Sequence, residues 1–150
     1  MNWNNEKSIT LTRMCIAAFA AAYILVLIFC PWIVRGFVTY SVSARGKSTL
    51  LFMITVYTCA VPLGFILWDL YRLVSRIGRE EIFTEENIRG LRRISWMCFA
   101  VAFLCLASAL YYRLFLIVAA GAILMGLLIR VIKNVFVRAR EIKEENDYTI

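Results

Sequence analysis

The sequence predicts an all-α integral membrane protein, a four-helix bundle with N-terminus and C-terminus in the cytoplasm, and three observations predict it. Hydrophobic residues make up 62% of 150 residues at a mean hydropathy of +0.75, more apolar surface than a soluble domain of this length can bury. Four apolar runs are each long enough to cross the roughly 30 Å of bilayer hydrocarbon. Lys and Arg gather on alternate connections between those runs, which sets the orientation.

Residues 1–13 are polar, with Lys7 and Arg13 leading into a first span over 14–34 that ends at Pro31, Trp32 and Ile33. That run is longer than a signal-peptide core and lacks a small-residue cleavage site, so it is expected to be a retained span. A moderately polar outer loop over 35–49 follows, in which Ser48 or Thr49 is placed to cap the next helix. The second span covers 50–70 and continues as helix toward Ile77; Pro62 near its middle cannot donate to the Thr58 carbonyl, which predicts a kink, with Gly64 two residues on.

A charged loop over 71–93 comes next. Thr84 followed by Glu85 and Glu86 is a helix start, because the hydroxyl caps free amides and the acids suit the positive end of the helix dipole. Glu85 and Arg89 stand at the supportive four-residue spacing. The third span is expected over 94–112 and the fourth over 114–137, joined by a tight hairpin with Tyr111, Tyr112 and Arg113 at its tip. The tail over 138–150 is a charged continuation in which Arg140 and Glu144 are again four residues apart.

Thirteen Lys and Arg residues flank one side of these spans and four (Arg35, Arg45, Lys47 and Arg113) the other. The positive-inside rule puts the richer side, and with it the termini and the middle loop, in the cytoplasm of a bacterial inner membrane. The net charge of +7 is explained by this flanking pattern and by anionic lipid headgroups, not by direct nucleic-acid binding.

The stretch IFTEENIRGLRRISW (Ile82 to Trp96), the four-span layout and the terminal run VFVRAREIKEENDYTI (Val135 to Ile150) together resemble bacterial membrane proteins grouped as domain of unknown function 2975. The resemblance covers essentially the whole chain. It implies four helices and no assigned activity, and a regulatory neighbourhood in which a small helix-turn-helix protein is a candidate partner.

Five cysteines all lie in apolar runs without CxxC spacing and read as buried apolar residues. The chain has no histidine, and no Walker loop, GxSxG elbow, HExxH helix or EF-hand spacing, so no catalytic, cofactor or metal site is expected. Asp69 is the one acid bordering an apolar span. It reads either as part of an ion path or as half of an ion pair with Arg72, Arg76, Lys133 or Arg130, and its interfacial depth favours the pair, with Arg130 the expected partner between helices. Pro62 with Gly64 reads as a static kink more readily than as a hinge. Ala18 with Ala22, and Ala122 with Gly126, have the spacing that lets helices approach, within one chain or between copies in a homo-oligomer.

Thr84, Glu85, Glu86 and Asn87 match Glu144, Glu145, Asn146 and Asp147 in composition. The two clusters face one compartment, as a docking surface for a partner, as a weak cation site built from oxygen ligands, or as a helix cap and a solvated tail. The leading expectation is a non-enzymatic regulator or sensor that docks a cytoplasmic protein. Its rivals are an oligomeric channel or transporter component, an immunity-type protein using residues 35–49, and, last, an intramembrane enzyme.

Overall fold

The computed structural model describes residues 3–40, 48–79 and 82–147. They form four helices: α1 (Trp3–Tyr40), α2 (Thr49–Ile77), α3 (Glu85–Ser108) and α4 (Leu114–Asp147). All four are long and apolar enough to cross a membrane. Among the described residues the structure is all-helical, with four candidate membrane spans.

Two boundaries differ from the sequence-based expectation. Helix α1 begins in the polar segment and runs through Pro31 to Tyr40, so the expected outer loop begins later. No glycine or proline interrupts the first turns, and a proline is tolerated within a membrane helix. Residues 41–47 of that loop, with Arg45 and Lys47, lie outside the described residues, as do residues 148–150 of the tail. Helix α3 stops at Ser108 and not at Tyr112, because the Leu110 and Tyr111 amides turn back three residues to the Ala107 and Ser108 carbonyls, at 3.4 and 3.2 Å, and the Ser108 hydroxyl is held by Thr55 at 2.9 Å and Tyr111 at 2.8 Å. Tyr112 therefore folds inward, donates to the Ser48 carbonyl and meets Phe52 edge-on, instead of marking an exposed tip. Ser48 stands at the α2 N-cap, but its side chain makes no capping bond.

The helices pack antiparallel in chain order, α1 on α2, α2 on α3 and α3 on α4. Among the described residues no backbone contact joins α1 to α3 or α4, so the bundle is an open row. Its core sits where α3 is clamped by both neighbours: Cys59 of α2, Val101 and Cys105 of α3 and Ala119 of α4. Of the apolar window of α3, 44% is buried, against 11% for α1 and α4, which leaves the flanking helices to lipid.

Small residues set the spacing within this row. A Cβ on Gly126 would lie 3.3 Å from Cys98 Cβ and from the Phe99 ring, so the glycine is what lets α3 and α4 approach. Ala122 also packs on the core, which makes this pair an intramolecular contact, whereas Ala18 and Ala22 are exposed. A Cβ on Gly64 would lie 3.3 Å from the hydroxyl oxygen of Tyr23, which donates to the Ala60 carbonyl at 2.7 Å. Gly64 and the Ala60 carbonyl thus seat Tyr23 of α1, beside the buried Pro62. At the other end of that seam Arg13 donates to the Ser75 carbonyl at 3.1 Å and covers Gly78, placing a cation at the negative end of the α2 dipole.

Candidate functional site

Charge is concentrated at one end of the row, where α2 ends, α3 begins and α4 overhangs. At ~1.5 Å per residue α4 is about 50 Å long, some 20 Å more than the hydrocarbon requires. The overhang carries Arg138, Arg140, Glu141, Lys143 and Glu144.

Helix α3 starts as its sequence predicts. The Thr84 hydroxyl accepts from the Asn87 amide at 3.4 Å, and Glu85 and Glu86 occupy the first turn. Asn87 is the surprise in this turn, because it is 1% exposed and donates through Nδ2 to the Ile82 carbonyl at 2.9 Å. A composition match to a solvated tail hid this role: the side chain fastens the loop to the helix it starts.

Glu85 is the hinge of the charged end. It accepts from Arg89 at 2.9 Å and lies 3.6 Å from Arg140 of α4, which also donates to Glu144 at 2.7 Å. The bond from Arg89, with the field of Arg140, holds the Glu85 carboxyl below the usual carboxylate range, so it stays ionised at neutral pH. The two acidic clusters are thus brought together, with Arg140 between them. Glu85, Ile88, Val137, Arg140, Glu141 and Glu144 line a shallow cleft of about 270 Å³. Glu86 turns to the other flank and pairs with Arg76 of α2 at 2.6 Å. Asn146 is exposed near the end of α4, which closes at Asp147.

The expected pair between Asp69 and Arg130 does not form. Asp69 accepts from Arg93 Nη2 at 2.9 Å, because α2 lies against α3 and Arg130 belongs to α4 on the far side. The Arg130 guanidinium stands instead over the rings of Trp96, at 5.5 Å, and Phe99, at 5.8 Å. Among the described residues no three His, Cys, Asp or Glu side chains are grouped as metal ligands would be. What the arrangement offers is a fixed pattern of alternating charge on a projecting surface.

The chain matches a family described as protein of unknown function (DUF2975) over residues 4–150. It is also similar to an uncharacterized membrane protein, YoaS, of Bacillus subtilis strain 168, being 26% identical over 113 residues that cover 67% of this chain and 71% of the relative. No solved structure matches it.

Proposed function

This chain belongs to the DUF2975 family, and from that premise we propose that it is a non-enzymatic membrane regulator or sensor that docks a cytoplasmic protein on its charged end. The reading places the termini and residues 71–93 inside a bacterial cell, as the excess of Lys and Arg on that side requires. The observation that carries it is the junction at Arg140, which ties Glu85 of α3 to Glu144 of the α4 overhang. That junction fixes two segments distant in sequence as one surface, and charge patterns fixed in this way select partners by complementarity. Ile142, 63% exposed on the overhang, supplies an apolar contact beside the charges.

A small helix-turn-helix regulator is the partner this reading expects. Affinity purification from membranes tests it with the paired reversals Glu85→Lys and Glu144→Lys. A protein recovered with the parent chain and lost with the reversals supports docking, provided both variants reach the membrane at parental levels. Equal recovery with the reversed variants contradicts it.

A further inference from the structure

Arg92, Arg130 and Lys133 are the cations at the charged end that share one cleft without a carboxylate. Arg76, Arg89, Arg93, Arg138 and Arg140 each pair with a carboxylate. Arg92, Arg130 and Lys133 pair with none among the described residues, yet all three line a cleft of about 320 Å³ between α3 and α4, together with Ser95 and Trp96. Among the described residues no acid lines it. The neighbours Arg92 and Arg93 divide the work of α3, Arg93 reaching Asp69 of α2 while Arg92 faces α4.

The cleft is built and not merely basic. Ser95 is buried at its floor and donates to the Gly126 carbonyl at 2.9 Å, locking the two helices where Gly126 lets them meet. Trp96 meets Phe99 edge-on and holds the Arg130 guanidinium over its ring, which fixes a cation that would otherwise sample many rotamers. Its depth is also informative. Arg130 lies about 24 Å and Lys133 about 28 Å along α4 from Leu114, and Arg92 about 24 Å along α3 from Ser108. With roughly 30 Å of hydrocarbon, their backbone lies a few ångströms inside the boundary, and the long Arg and Lys side chains snorkel the remaining distance toward the lipid phosphates.

We propose that this cleft is a binding site for a phosphate group, carried either by the headgroup of an anionic phospholipid or by free phosphate. Arg92, Arg130 and Lys133 all supply donors, and the ring contacts of Arg130 fix one of the three charges in place. Basic pockets between spanning helices bind phosphate headgroups by this chemistry. The inference needs only membrane insertion and stands apart from the docking reading, since it uses none of the residues at the Arg140 junction.

The test reconstitutes the full chain in phosphatidylcholine bilayers containing a minor fraction of phosphatidylglycerol, extracts it in neutral detergent and measures the phosphatidylglycerol retained per chain. The double variant Arg92→Gln, Lys133→Gln is expected to retain roughly tenfold less. Arg130 is kept, because its ring contacts also serve packing, and an unchanged unfolding midpoint verifies that the double variant is folded. Arg138→Gln, outside the cleft, retains the parental amount. Adding millimolar inorganic phosphate separates the two sources: displacement of the lipid, with phosphate binding measured by calorimetry, assigns the site to free phosphate, and undiminished lipid assigns it to the headgroup. Equal retention by parent and double variant, with no difference in phosphate binding between them, overturns the site.

Discussion

Removing the Arg93 guanidinium leaves the Asp69 carboxylate, whose side chain is 7% exposed, without its cation at the seam of α2 and α3. Arg93 itself is 60% exposed, so solvent screens the pair and the cost falls below that of a fully buried one. Arg93→Ala is expected to destabilise the protein by about 1–2 kcal/mol, whereas Arg130→Ala leaves the Asp69 pair intact. A double-mutant cycle between Asp69→Asn and Arg93→Gln, followed by thermal unfolding in neutral detergent, measures the coupling. Coupling of Asp69 to Arg130 instead contradicts the assignment. The sequence marked Asp69 as half of an ion pair but pointed to the wrong partner, since spacing reveals pairs within a helix and not which helices adjoin. Glu85 with Arg89 and Arg140 with Glu144 were legible for that reason, and Glu85 with Arg140 was not.

At the scale of elements, the helix starts and stops follow local chemistry where it is strong. Thr84 was legible as a cap because its hydroxyl, the two following acids and the apolar run all agree. Its bond to the Asn87 amide is 3.4 Å long, so Thr84→Ala is expected to cost less than the ~1 kcal/mol of an average cap, read as a lower unfolding midpoint. The end of α3 was not legible, because Tyr111 and Tyr112 are apolar enough to prolong a span and only their bonds to Ser108 and Ser48 turn them back. Helix spacing gives a sharper contrast. Gly126→Ala must push α3 and α4 apart by a few tenths of an ångström, at an expected cost of about 1 kcal/mol, because Cys98 Cβ is fixed to its backbone. A Cβ on Gly121 meets nothing within 4 Å, so Gly121→Ala is expected to be neutral or mildly stabilising by the same unfolding measurement.

Over the whole molecule, the open row gives the helices unequal holds. Four spans and their membrane character were readable from apolar run lengths, while the order of packing was not, since short and long connections alike permit several arrangements. Among the described residues α1 packs on α2 alone, through Tyr23 on the Ala60 carbonyl, Tyr57 on the Leu27 carbonyl and Arg13 on the Ser75 carbonyl. The combination Tyr23→Phe and Arg13→Ala is therefore expected to raise hydrogen exchange across α1 while α3 keeps its protection. Uniform loosening of all four helices contradicts an independent α1.

Docking of a cytoplasmic protein on the charged end formed by α3 and the α4 overhang, as proposed above, is tested by site-specific photocrosslinking in native membranes. The probe belongs at the exposed Ile142, with Ile117 on the lipid-facing part of α4 as its counterpart; Ile88 is too buried to report a partner, and Tyr148 lies outside the described residues. The account predicts an adduct of Ile142 with one cytoplasmic protein, lost on Glu85→Lys with Glu144→Lys and absent at Ile117. An adduct that survives the reversals, or crosslinks at Ile142 only to lipid or to a second copy of the chain, contradicts it.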